Sequence, residues 1–92
     1  MPSVTKITIN LSHIWEQHTY WTNPPPQKDK FPWYMGLKAI EAAVKYAYQH
    51  SETLKVQGDR LYMRGPFGNV QYIYMWFNRI TKVIESAWPK SK

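Results

Sequence analysis

The residues with spacing suited to chemistry are few. His13 and His18 stand five apart with Glu16 between them, and Arg60 and Arg64 stand four apart. A histidine pair or a His–Glu couple can take and return a proton at a phosphodiester while arginines hold its charge, which is the chemistry of a small toxin-type ribonuclease. The zinc-protease pattern requires His-Glu-x-x-His on a helix, and this trio does not have it. Two histidines and one glutamate also lack a further spaced ligand, so no metal is expected. His50 falls at the end of an expected helix, where it interacts with the helix dipole. There is no Gly-rich phosphate loop, no G-x-S-x-G and no usefully spaced carboxylate pair. The expectation is a protein without cofactor and without catalysis, with the ribonuclease as the alternative.

Composition points to binding. The chain has 92 residues, 12 Lys plus Arg against 6 Asp plus Glu, and a formal net charge of +6. So positive a body draws phosphate backbones and acidic surfaces toward it. Five Trp, seven Tyr and three Phe make 16% aromatics, the residue types that interfaces and nucleic-acid sites favour. Hydrophobic residues at 43% suffice for a core, and the length allows one domain, residues 1–92. The lack of cysteine excludes disulfides and thiolate catalysis. With no apolar run near the roughly 20 residues of a membrane span and no signal peptide opening the chain, the expected setting is cytoplasmic, with no membrane partner.

The elements that must position these residues come from periodicity. Thr5 to Leu11 alternates and reads as a strand. Ser12 to Phe31 reads as a long loop rich in aromatics and proline, carrying Trp15, Tyr20, Trp21, Asn23-Pro24-Pro25-Pro26, Lys28 and Lys30. From Pro32, the stripe Trp33, Leu37, Ile40, Val44 and Ala47 predicts a helix to His50, with Gly36 favouring a later start. Gly58-Asp59 between alternating runs predicts a two-residue hairpin. It would pair Gln57 with Arg60, Val56 with Leu61, Lys55 with Tyr62, Leu54 with Met63 and Thr53 with Arg64. Gly65-Pro66-Phe67-Gly68 reads as a turn and Asn69 as the N-cap of a last helix. Its stripe would be Val70, Ile73, Phe77, Ile80, Ile84 and Ala87, widened by Trp76, Val83 and Trp88, and Pro89 would end it.

The fold class expected is therefore α+β in the order βαββα: a three-stranded sheet with two helices packed on one face. The first strand would lie parallel to the second or antiparallel to the third. The uncovered face would gather Lys55, Arg60, Tyr62 and Arg64, cations beside a stacking ring, as a phosphate backbone requires. The polar side of the last helix would present Tyr72, Met75, Arg79 and Lys82 as a second contact surface. The loop with Trp15, Tyr20, Trp21, Lys28 and Lys30 is the third candidate for partner recognition. The wide apolar arc of the last helix, with Trp76 and Trp88, offers a surface for a homodimer.

Helix, Leu54-Lys55-Val56-Gln57-Gly58-Asp59-Arg60-Leu61-Tyr62-Met63-Arg64 and helix, over roughly residues 37–84, resembles the small docking domains of megasynthases, which implies a protein-docking module. In overall character the chain is also similar to small phage-encoded inhibitors of the anti-CRISPR type, compact single domains without catalytic motifs. That resemblance implies a stoichiometric blocker of a nucleoprotein machine, one that competes for guide RNA, for DNA or for the protein subunits beside them.

Overall fold

The structure is a computed structural model that describes residues 6–18, 30–32 and 34–91, with the backbone alone for 16–18. In chain order it contains β1 (Thr8–Ile9), α1 (Leu11–His18), α2 (Leu37–Gln49), β2 (Glu52–Gln57), β3 (Arg60–Phe67), β4 (Gln71–Asn78) and β5 (Val83–Ser91). The strands form one mixed sheet in the order β1-β5-β4-β3-β2. Strands β2 to β5 are an antiparallel meander, and β1 lies parallel to β5, with Thr8 beside Val83 and Ile9 beside Ile84. The expected three-stranded βαββα sheet is thus replaced by five strands. The first strand shrinks to two residues and takes neither of the two expected positions. Among the described residues, no helix is long and apolar enough to cross a membrane.

The largest correction is the expected last helix, which is the β4–β5 hairpin. Strand β4 is Gln-Tyr-Ile-Tyr-Met-Trp-Phe-Asn. Ile73, Met75 and Phe77 point into the core and are fully buried, while Tyr72, Tyr74 and Trp76 alternate with them and are half-buried. Both faces are nonpolar, so the period of two that marks a strand is invisible to a hydrophobic/polar reading. The apparent helical stripe has a second cause. Trp76 faces Ser86 but Phe77 faces Ile84, so Glu85 is an extra residue bulged out of β5. The bulge puts Ile84 and Ala87, three apart, on the same buried face, which imitates a helical step. Val70 and Ile80, expected in the stripe, stand exposed in turns. Asn69 caps no helix. Instead Asn78 closes the β4–β5 turn, its Oδ1 accepting the backbone N–H groups of Ile80 and Thr81 at 2.9 and 3.0 Å. Pro89 lies within β5, which has outrun β1 there and needs no donor toward that side. With strands where the second helix should stand, the docking-domain pattern does not hold.

The β2–β3 hairpin forms at Gly58-Asp59. Gly58 takes φ +61, the left-handed conformation that a tight hairpin turn asks of its first central residue. Gln57, Val56 and Lys55 meet Arg60, Leu61 and Tyr62 as expected, but the register then slips by one. Thr53 faces Met63 and Glu52 faces Arg64, with Leu54 bulged between. Gly65-Pro66-Phe67 continues β3 rather than turning.

Helix α2 starts at Leu37, after Gly36, and buries Ile40, Val44, Ala47 and Tyr48 against the sheet. Its backbone crosses β3 so closely that a Cβ at Gly65 would collide with the carbonyl of Ala47. A side chain at position 65 would lift the helix off the sheet. The expected loop at 12–31 is helical at its start, since α1 spans Leu11–His18 and buries Ile14. Phe31 is also fully buried, its ring edge-on to Phe67 at 5.8 Å.

Candidate functional site

The strand period sends the other half of each strand to the sheet face opposite α2. Register pairs that lie directly across from one another share a face, which assembles the surface residue by residue. From β3 come Arg60, Tyr62 and Arg64, from β4 Tyr72, Tyr74 and Trp76, and from β5 Ser86, Trp88 and Lys90. Strand β2 adds Lys55 across from Tyr62 and Glu52 across from Arg64. The five rings are half-buried, whereas their neighbours Met63, Ile73, Met75 and Phe77 are fully buried.

The rings form a stack across three strands. Tyr62 lies 4.9 Å from Trp76, 5.8 Å from Tyr74 and 6.2 Å from Trp88, with planes within 25–33° of one another. Tyr74 and Trp88 are nearly parallel, at 14° and 6.4 Å. Tyr72 closes one end, edge-on to Tyr74, with the Arg64 guanidinium 4.5 Å from its centroid.

Paired charges rim the stack. Arg64 Nε donates to Glu52 Oε1 at 2.6 Å, and Arg60 Nε lies 2.8 Å from Glu85 Oε1. Asn78 Nδ2 donates to the other oxygen of Glu85 at 3.2 Å. The bulge that ejects Glu85 from the ladder is what brings its carboxylate to Arg60. A hydrogen bond to the Tyr74 side chain, and next the bond to Glu52, push the Arg64 pKa further up. An arginine is charged at every accessible pH, so the consequence is orientation: the guanidinium is held over the Tyr72 ring. Burial, and next the neighbouring Tyr74, raise the Tyr62 phenol above its ordinary value. At the rim, His13 Nε2 meets Ser86 Oγ at 3.2 Å.

The structure brings Lys55, Arg60, Tyr62 and Arg64 together on this face. Arg79 and Lys82 are elsewhere: they belong to the β4–β5 turn, where Arg79 Nη2 donates to the Gly58 carbonyl at 2.9 Å. They do not share a polar helix side with Met75, which is fully buried. Trp76 and Trp88 stand in the stack and widen no helical arc, so the homodimer surface expected there is not formed. Trp15 packs half-buried from α1 against the core, and Lys30 is half-buried. Tyr20, Trp21 and Lys28 lie outside the described residues. Of the ribonuclease groups, His13 is at the rim with Ser86, Arg60 and Arg64 are paired with glutamates, and the side chains of Glu16 and His18 lie outside the description. Among the described residues, no three His, Asp or Glu side chains group as metal ligands. Sequence reasoning missed Tyr74, Trp76, Trp88 and Lys90 as face residues, together with the two glutamates. The alternation Tyr72-Ile73-Tyr74-Met75-Trp76-Phe77 was the signal, once aromatic is distinguished from aliphatic.

No protein-family model matches this chain, and neither the curated proteins nor the solved structures contain a match.

Proposed function

We propose that the chain is a non-catalytic binding protein that occupies a nucleic acid or nucleoprotein partner through the open face of its sheet. The observation that carries this reading is the stack of Tyr62, Tyr74, Trp76 and Trp88 with an arginine laid over Tyr72. Flat rings beside guanidinium groups suit bases and phosphates together. Four cations, Lys55, Arg60, Arg64 and Lys90, share the face with two carboxylates, Glu52 and Glu85, so it keeps a positive balance within a chain of net charge +6. The concrete form proposed is an inhibitor of the phage or mobile-element kind, acting in the host cytoplasm on a CRISPR effector complex as anti-CRISPR proteins do.

Affinity purification from host lysate, with and without nuclease treatment, tests the class. Wild-type chain should retain nucleic acid or a nucleoprotein, and Arg60→Ala with Arg64→Ala should weaken that retention while the melting temperature hardly moves. Partners that survive both the nuclease and the double variant would turn the assignment toward protein docking. The concrete form is tested by expressing the chain in cells whose CRISPR effector targets a phage: plaques should return, and continued immunity would remove it.

A further inference from the structure

We infer that the ligand of the ring-bearing face is single-stranded nucleic acid, held mainly by stacking on bases and only secondarily by its phosphates. The inference rests on the reading just given and narrows it. Stacking needs exposed base faces, which a duplex hides inside its own stack and a single strand offers. Tyr62, Tyr74 and Trp76 sit on adjacent strands with ring centroids 4.9 and 5.8 Å from Tyr62, so the rings make a continuous platform rather than isolated contacts.

The charges point the same way. A surface built for duplex phosphates would leave its arginines free to meet them. Here Arg60 and Arg64 are each engaged by a glutamate, at 2.8 and 2.6 Å. Glu52 and Glu85 would repel a closely packed double row of phosphates, and they hold the two guanidiniums at the rim of the ring stack. Among the described residues, the cations of this face outside those pairs are Lys55 and Lys90, on β2 and β5 at opposite sides of the platform. A strand lying across the rings would pass between them, with a phosphate near each.

Each phosphate contact with a single strand contributes about −0.7 to the slope of log K against log salt, so two lysines give a slope of about −1 to −2. Losing one stacked base lowers affinity by on the order of 5- to 150-fold.

The test uses the full chain and labelled 12-mers of one mixed sequence, as single-stranded RNA, single-stranded DNA and duplex. Anisotropy and intrinsic tryptophan fluorescence are read between 50 and 200 mM KCl. The single strands should bind at least about tenfold more tightly than the duplex and quench the tryptophans, with the shallow slope above. Trp76→Leu should lower the affinity within the stated range, and Lys55→Gln should make the slope shallower by about 0.7. If Trp76→Leu unfolds the chain, Tyr74→Leu serves in its place, and circular dichroism identifies the folded variant. A duplex bound as tightly as the single strands, or a slope steeper than about −4, overturns stacking as the main force while leaving nucleic-acid binding in place. No binding to any of the three oligonucleotides overturns both, and the rings then belong to a protein interface.

Discussion

The two faces of this sheet are built from alternate residues of the same strands, yet they follow different rules. On the covered face, Met63, Ile73, Met75, Phe77 and Ile84 exclude water completely, and Gly65 lets the α2 backbone touch the sheet. On the open face, the neighbours in sequence are tyrosines and tryptophans, half-buried against each other, and arginines tied at the rim by ion pairs. Burial is what the first set is for. The second set hides part of each ring against the next and leaves the remainder for something else. A residue's contribution to the fold and its contribution to binding should therefore separate by strand parity.

The sharpest break of that separation is a core truncation. Phe77→Ala should cost about 3–5 kcal/mol in a denaturant melt, because a fully buried ring leaves a cavity under Tyr48, its neighbour at 5.4 Å. Gly65→Ala should follow at about 1–3 kcal/mol or more, since the new methyl must displace helix backbone rather than a flexible side chain. An unchanged melt for Gly65→Ala would rule out the close contact between α2 and β3. On the open face, Trp76→Leu should lose only about 0.5–1.5 kcal/mol of stability from its ring contact with Tyr62, while oligonucleotide affinity drops far more in proportion. Equal losses in melting and in binding would erase the distinction between the faces. Breaking the half-exposed pair by Glu85→Gln should change stability by under about 1 kcal/mol, an effect that 0.5 M salt also produces.

The smallest effect concerns pH. The phenols of Tyr48 and Tyr62 are both raised above 10.0, mainly by burial, so the folded chain holds their protons more tightly than the unfolded chain does. The associated stability is complete below pH 10.0 and is lost as pH rises through the folded values. Melting temperature should fall as pH rises above 10.0, where the unfolded chain's phenols ionise first. Tyr48→Phe and Tyr62→Phe should each flatten that fall. A curve unchanged by both substitutions would place the alkaline loss elsewhere.

Much of one hairpin was legible in the chain, and the other was not. Gly58-Asp59 announces its turn, and Val56 and Leu61 alternate with Lys55 and Tyr62, so turn chemistry and polarity agree. The face holding Lys55, Arg60, Tyr62 and Arg64 followed from that agreement. The slip at Leu54 carried no signal, because Thr53 and Leu54 are both tolerated on an exposed edge strand. In β4 the polarity contrast vanishes, as tyrosine and tryptophan on one side answer isoleucine and phenylalanine on the other. What argued for β4 was the alternation of ring with aliphatic side chains from Tyr72 to Trp76, and their shared preference for strands over helices.

The sequence by itself determined a basic, ring-rich chain with one strand hairpin, an amphipathic helix between Trp33 and His50, which the structure starts at Leu37, and no motif for catalysis. Those follow from local chemistry: side-chain period, turn residues and charge. Tertiary structure alone decided that residues 71–91 are two strands, that Glu85 is bulged out, and that rings far apart along the chain form one stack. A strand with two nonpolar faces has no preference of its own for inside or outside. It acquires one when α2 covers one side of the sheet and leaves the aromatic side to hold itself together.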